Sequence, residues 1–151
     1  MAVQWDIAIY DRDKHLQLVG EVKTKMGTSP EWATRFRHNI LEHGHVTIPP
    51  YFLLAFPDHF YLWKHADIDE SNEPYMVDVR AIFHAYFAGK TEGEPGLSHD
   101  SFEMLVASWL GEVIHAPKHD ESDSKAAMQW LFDSGLYRAI EGGQVECEVA
   151  A

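Results

Sequence analysis

Two neighbouring segments near the start of the chain alternate apolar and polar side chains in a period of two, which is the spacing of a β-strand. The segments are residues 3–11, with the sequence VQWDIAIYD, and residues 16–25, with the sequence LQLVGEVKTK. Only the polar residues 12–15 separate them, so the pattern predicts an antiparallel hairpin on which the fold is built. One face of this hairpin is predicted to carry Val3, Trp5, Ile7, Ile9, Leu16, Leu18, Gly20, Val22 and Thr24.

A helix and two further strands are predicted after the hairpin. Ser29 suits an N-cap and Pro30 suits the first helical position, and large apolar residues then recur every four positions from Trp32. Residues 51–56 and 60–64 are apolar and are separated by a turn-forming Pro-Asp-His sequence, which predicts two strands. Residues 1–65 therefore have the predicted order β-β-α-β-β.

The apolar spacing changes in the second part of the chain. Residues 66–74 are an acidic connector, and beyond it the period lengthens to that of a helix. Helices are predicted over residues 77–87, 101–114 and 124–140. The pair Gly142-Gly143 is predicted to end the last helix, and residues 144–149 alternate again as a short strand.

These patterns predict one α/β domain over residues 1–151. It consists of the core in residues 1–65, the connector in residues 66–74 and a mostly helical region in residues 75–151. A length of 151 residues suits one domain, whereas about 75 residues on each side of the connector would be marginal for two.

Cysteine content and hydropathy exclude several classes of protein. Cys147 is the only cysteine, so the chain has no CxxC metal or redox motif and no intramolecular disulfide. No apolar run approaches the ~18 residues of a membrane span, and no basic segment precedes an apolar one as in a signal peptide. We therefore expect a cytoplasmic protein.

The negative charge is distributed unevenly. Residues 1–65 carry seven Lys or Arg and seven Asp or Glu, whereas residues 66–151 carry five and seventeen, so the whole net charge of −12 lies in the second part. Binding to a polyanion depends on clustered basic residues, so weak nonspecific affinity for DNA is expected. The first part has no such excess of negative charge.

Three polar residues of the hairpin are predicted to converge. If the turn centres on Asp13 and Lys14, the numbers of cross-strand partners sum to 27, and Asp6 lies opposite Glu21 with Lys23 on the same face. Two opposed carboxylates repel each other unless a cation lies between them, and oxygen ligands suit Mg²⁺ or Mn²⁺. Such a cation lowers the pKa of a bound water and neutralises charge on a phosphodiester, while an ammonium group supports the attacking water.

The spacing of these residues resembles that of the PD-(D/E)XK nuclease superfamily, which has the restriction-endonuclease-like fold. Asp6 lies fifteen residues before the triplet Glu21-Val22-Lys23, which is followed by the helix Trp32–His43 and an apolar strand. The resemblance covers about residues 3–65. Trp5 stands where the superfamily often has the Pro of its name, and the helix and strand that usually precede the acidic strand do not precede Asp6.

The resemblance implies a mixed β-sheet flanked by helices and a divalent-metal-dependent endonuclease that hydrolyses DNA. Asp6 and Glu21 would bind Mg²⁺ or Mn²⁺ together with the backbone carbonyl of Val22, and Lys23 would be catalytic. Gln4 and Arg35 are predicted to line the substrate site by position alone. Many relatives of this fold are dimers, so a homodimer and a complex with a basic protein are the two alternatives for its assembly.

The C-terminal segment is predicted to supply the elements that are missing before Asp6. Its order of a helix followed by residues 144–149 is the helix-then-strand order that the superfamily places before the acidic strand. Docking of this strand beside residues 3–11 would make the chain a circular permutation and would cover an exposed sheet edge.

Two other interpretations remain open at this level. A catalytically inactive, nuclease-derived subunit or interaction module, whose basic protein partner reads the DNA, fits the acidic charge of the second part. A purely structural adaptor would leave Asp6, Glu21 and Lys23 as the solvated face of an amphipathic hairpin.

Overall fold

A computed structural model describes residues 5–25, 27–43, 49–64, 74–80, 83, 98–115 and 129–147, and for residues 41–43 it describes the backbone only. The described residues form a mixed six-stranded sheet with the strand order β5-β4-β3-β2-β1-β6. The strands are β1 (Ile7–Tyr10), β2 (Leu16–Val22), β3 (Tyr51–Ala55), β4 (His59–Lys64), β5 (Tyr75–Asp78) and β6 (Gln144–Cys147). The helices are α1 (Pro30–His43), α2 (His99–His115), α3 (Gln129–Asp133) and α4 (Leu136–Ile140).

The β1–β2 hairpin has the predicted register over most of its length. Ile7 pairs with Gly20 and Ile9 with Leu18, so their numbers sum to 27. The turn is held by the Asp11 carboxylate, whose Oδ1 accepts the backbone N–H groups of Asp13 and His15 at 2.9 Å each. The pairing begins at Ile7, and Asp6 lies in a bend directly before it.

Parallel pairing of β2 with β3 requires a crossover, and α1 provides it. Ser29 caps this helix as predicted, because its Oγ accepts the backbone N–H of Trp32 at 3.1 Å. The β-β-α-β-β order of the first part is therefore confirmed.

The sheet separates two apolar cores, because alternate residues of its strands face opposite sides. The α1 core lies on one side and contains Val19, Ala33, Phe52, Leu54, Phe56, Tyr61 and Trp63. The α2 core on the other side joins strand residues such as Ile7 and Val22 to buried residues of α2, α3 and α4, among them Phe102, Val106, Trp130 and Ile140. Helices thus flank both faces of the sheet.

The C-terminal strand docks where it was predicted to dock. β6 pairs antiparallel with β1, and Ile7 lies opposite Cys147 while Tyr10 lies opposite Gln144. The preceding turn depends on glycine, since Gly142 has φ 73° and a Cβ on Gly143 would collide with the carbonyl oxygen of Tyr10. The prediction that residues 144–149 extend the sheet beside β1 is confirmed for residues 144–147.

Two predicted helices are wrong in their limits, whereas α2 confirms the helix predicted over residues 101–114. Val77 and Asp78, the first two residues of the helix predicted over 77–87, belong to β5, because hydrogen bonding to the open edge of β4 outweighs the local helical spacing. Residues 81–82 and 84–87 of that predicted helix lie outside the described part of the chain. The helix predicted over 124–140 is broken between α3 and α4, since Gly135 adopts a left-handed φ of 81°.

The predicted face of the hairpin is also wrong at two residues. Trp5 packs against the α1 core because the chain bends at Asp6. Leu16 packs against the same core because the register shifts at the turn: Ile9 pairs with Leu18 but Tyr10 pairs with Leu16, so Gln17 has no partner in β1. The acidic connector lies largely outside the described residues. Among those that are described, no helix has the length and apolar character needed to cross a membrane.

Candidate metal centre

Asp6, Glu21, His99 and Glu103 meet around the backbone of Val22, and we refer to these four side chains as the strand-end cluster. Asp6 directly precedes β1, and its Oδ2 accepts the backbone N–H of Val22 at 2.9 Å. Its side chain is also hydrogen bonded to that of Glu21, which follows the Gly20 that pairs with Ile7. The structure therefore brings the two predicted carboxylates together.

The two carboxyl groups have opposite pKa shifts. Burial, the hydrogen bond to Asp6 and the negative charge of Asp6 raise the pKa of Glu21 to about 8. For Asp6, partial burial opposes ionisation, but the hydrogen bonds from Glu21 and from the N–H of Val22 outweigh it and lower the pKa below its ordinary 3.8. The pair therefore holds one proton at neutral pH, located on Glu21.

Helix α2 adds two side chains that the sequence reasoning missed. His99 donates a hydrogen bond from Nε2 to the carbonyl oxygen of Val22 at 2.8 Å, and the same nitrogen lies 3.6 Å from Asp6 Oδ2. Glu103, one turn further along α2, is only 1% exposed and is hydrogen bonded to Asp6. Burial and the neighbouring charge of Asp6 raise the pKa of Glu103.

One oxygen of Glu103 distinguishes this group from a surface cluster of acids. Its Oε1 atom is buried and has no hydrogen-bond partner among the described residues. A buried polar atom in this state costs about 1–3 kcal/mol unless something binds it. A cation bound in the strand-end cluster is one means of satisfying it.

Sequence alone contains one signal for Glu103. It lies on the stripe of α2 that also carries Val106, Leu110 and Val113, all of which are buried. A charged residue on the apolar face of an amphipathic helix needs a partner and is a candidate functional residue. No comparable pattern marks His99, which precedes the helix predicted from residue 101.

The remaining predicted residues lie in different surroundings. Lys23 is half-buried, and its ammonium lies 5.7 Å from the centre of the Phe36 ring. Its positive charge contributes to the lowered pKa of Asp6 and partly offsets the rise in the pKa of Glu21. Arg35 is exposed on α1. Gln4 lies outside the described residues.

The donor set of the strand-end cluster fits a divalent cation. It offers three carboxylates, an imidazole and the Val22 carbonyl, and the ligand atoms of His99 and Glu103 lie within 4.8 Å of each other and of Asp100. A second acidic group, Asp11, Asp13 and His15, is equally compact, but two of its three residues are exposed and none is buried. Of these two groups, only the one that includes His99 and Glu103 contains a buried carboxylate oxygen without a partner among the described residues, which is Oε1 of Glu103.

Comparison of the chain with protein-family models, with curated proteins and with solved structures finds no match in any of the three.

Proposed function

We propose that the protein is a divalent-metal-dependent nuclease that hydrolyses phosphodiester bonds, with DNA as the substrate that the sequence resemblance implies. The observation that carries the proposal is the hydrogen bond between the side chains of Asp6 and Glu21 beside the backbone of Val22. Without a cation the two carboxyl groups avoid repulsion by holding one proton between them, and a cation bound by both would take the place of that proton.

The arrangement of elements supports a restriction-endonuclease-like fold in permuted order. The acidic residue lies at the start of β1, the Glu21-Val22-Lys23 triplet lies at the end of β2, and α1 followed by β3 comes next. On its other side β1 is paired with β6, which follows the helix α4. A helix followed by a strand beside β1 is what the resemblance implies before the acidic strand, so this pairing supports the permuted order.

Asp6, Glu21 and the carbonyl of Val22 would hold the metal, and Glu103 is placed to contribute a third carboxylate. When bound, such a cation lowers the pKa of a water molecule and neutralises negative charge on the phosphate. The N–H of Val22 fixes the Asp6 carboxylate in position. The charge of the Lys23 ammonium acts on both Asp6 and Glu21, and this group would orient the attacking water and stabilise the developing negative charge.

The distribution of charge favours a second candidate, a nuclease-derived subunit without catalytic activity. The net charge of −12 lies entirely in residues 66–151, and such a surface repels a polyanion unless a basic partner compensates it. In this case the strand-end cluster would retain a structural role, and the DNA would be contacted by the partner.

Cleavage assays with matched lysine variants separate the two candidates. Plasmid and single-stranded DNA are incubated with the purified protein and Mg²⁺, Mn²⁺ or EDTA, and the same is done with Lys23→Ala and Lys64→Ala. We expect metal-dependent cleavage that falls at least about 100-fold in Lys23→Ala, within the range typical of lost acid–base or electrostatic catalysis, and that persists in Lys64→Ala. Cleavage by the native protein with an unchanged rate in Lys23→Ala would remove that residue from the mechanism. No cleavage with either metal would favour the inactive subunit.

A further inference from the structure

We propose that His99 is a nitrogen ligand of the strand-end cluster and that the cluster therefore binds Mn²⁺ in preference to Mg²⁺. This inference rests on the proposed metal site, and it adds both a residue and an ion preference that the hairpin motif does not contain.

The distances around His99 match those between neighbouring ligands of one cation. In an octahedral site with metal–ligand distances of about 2.1 Å, adjacent ligand atoms lie about 3 Å apart. The Nε2 atom of His99 lies 2.8 Å from the Val22 carbonyl oxygen and 3.6 Å from Asp6 Oδ2. The ring nitrogen is therefore located at ligand spacing from two atoms that the metal proposal already uses.

Glu103 gives independent support for a ligand at this position. It lies four residues after His99, so both side chains project from the same side of α2. Its buried Oε1 has no partner among the described residues, although the helix around it is anchored by the fully buried Phe102 and Val106. A rigid helix thus presents an imidazole and an unsatisfied carboxylate oxygen to the same end of the hairpin.

Without a cation, Nε2 of His99 carries the hydrogen that it donates to the Val22 carbonyl, so binding a cation through Nε2 requires the tautomer with the proton on Nδ1. The Nδ1 atom faces the Asp100 carboxylate, with Oδ1 at 3.7 Å, and the side chain is 44% exposed. Histidine ligands characteristically direct their second nitrogen toward a carboxylate, carbonyl or water, which leaves the lone pair of the first nitrogen for the metal. Because the His99 ring is partly exposed, it has room to rotate slightly, so that Nε2 contacts the cation instead of the Val22 carbonyl.

The presence of an imidazole determines the preferred ion. Mg²⁺ is bound through oxygen ligands and keeps several waters, whereas first-row transition metals accept imidazole nitrogen together with carboxylates. A site made only of Asp6, Glu21 and a carbonyl would accept either ion. Addition of His99 favours Mn²⁺.

Metal titration of the whole chain by calorimetry, without nucleic acid, tests the inference. Native protein, His99→Ala and the control His115→Ala, at the other end of α2, are titrated with MnCl₂ and MgCl₂. We expect the native protein to bind Mn²⁺ at least about tenfold more tightly than Mg²⁺ and His99→Ala to lose about tenfold in Mn²⁺ affinity, with Mg²⁺ affinity changed less than about twofold. The control should match the native protein. Pulsed electron paramagnetic resonance should detect ¹⁴N coupling to bound Mn²⁺ in the native protein but not in His99→Ala.

Each other outcome overturns a defined part of the reasoning. An unchanged ratio of affinities in His99→Ala, without ¹⁴N coupling in the native protein, removes His99 as a ligand while the metal site stands. Tighter binding of both ions by His99→Ala means that the ring competes with the cation for the Val22 carbonyl. Absence of binding of either ion to the native protein at millimolar concentration overturns the metal centre itself, and with it the proposed function.

Discussion

The raised pKa of Glu21 makes the stability of the metal-free protein depend on pH. In the unfolded chain this carboxyl ionises near 4.5, whereas in the folded protein its pKa is about 8. Between these values the folded state holds a proton that the unfolded state has lost, so the free energy of unfolding falls as the pH rises. Asp6 acts in the opposite sense but only at acid pH, since its lowered pKa affects stability when the pH falls below its ordinary 3.8.

The size of this effect follows from the two pKa values. A group with these values would lose roughly 2.6 kcal/mol of stability between pH 6 and pH 9, at 1.36 kcal/mol for each pKa unit. Because Glu21 is only partly buried, solvent screening reduces this amount. We expect a loss of about 1–2 kcal/mol.

Urea unfolding of the native protein and of Glu21→Gln, followed by tryptophan fluorescence in the presence of EDTA, measures the effect. Glutamine resembles the protonated carboxyl, so the two proteins should have similar stability at pH 6, and the variant should be more stable by about 1–2 kcal/mol at pH 9. Other titrating groups are common to both proteins and cancel in the comparison. The same pH dependence in both proteins would refute the assignment of the shared proton to Glu21.

Three further predictions concern the elements that hold the strand-end cluster in place. Gly143→Ala should lower the melting temperature by roughly 10 °C or more, because a methyl group there collides with the carbonyl of Tyr10. Calorimetry measures this loss, and Gly111→Ala is the control because a methyl group at residue 111 meets no other atom within 4 Å. A chain ending at Gly142 should expose the edge of β1 and elute as aggregates on size-exclusion chromatography, and a monomer with an unchanged melting temperature would contradict this. Tyr51→Phe should lower the free energy of unfolding in urea by about 1 kcal/mol, because the Tyr51 hydroxyl donates a buried hydrogen bond of 2.9 Å to the carbonyl of Ser134. An unchanged free energy would mean that the break between α3 and α4 is held by packing alone.

The hairpin register was predictable because a slip by one residue would transfer every side chain to the wrong face. That constraint correctly placed Ile7 opposite Gly20 and, by extension, Asp6 beside Glu21. The skipped Gln17 was not predictable in the same way. Its amide donates to Asp11 Oδ2 at 2.9 Å, a contact created by the conformation of the turn and absent from the periodic pattern.

The errors in the second part of the chain have a tertiary origin. Val77 and Asp78 begin a segment with helical apolar spacing, but β4 offers an unpaired edge, and main-chain pairing makes these two residues part of β5. The helix break at Gly135 depends on a left-handed residue that a helical window tolerates at a cost of about 1 kcal/mol. Neither choice can be read from local periodicity.

The candidate site was predictable only where it lies on contiguous elements. Asp6, Glu21 and Lys23 belong to one hairpin, so spacing and register were sufficient to associate them. His99 and Glu103 approach from a helix about 80 residues later, and their arrival depends on how α2 docks on the sheet. A charged residue within an apolar stripe was the one local sign of that docking.

The pairing of β6 with β1 also has a kinetic consequence. Ile7 and Cys147 are hydrogen-bonding neighbours although 140 positions separate them along the chain. Contacts between remote segments form slowly, because the intervening chain must lose conformational entropy before the contact contributes any stabilising free energy. During synthesis β2, α1, β3 and β4 leave the ribosome as a nearly continuous unit, whereas β1 acquires its outer neighbour only after residue 147 has emerged. Capacity to bind a cation should therefore appear late in refolding, after most of the secondary structure has formed.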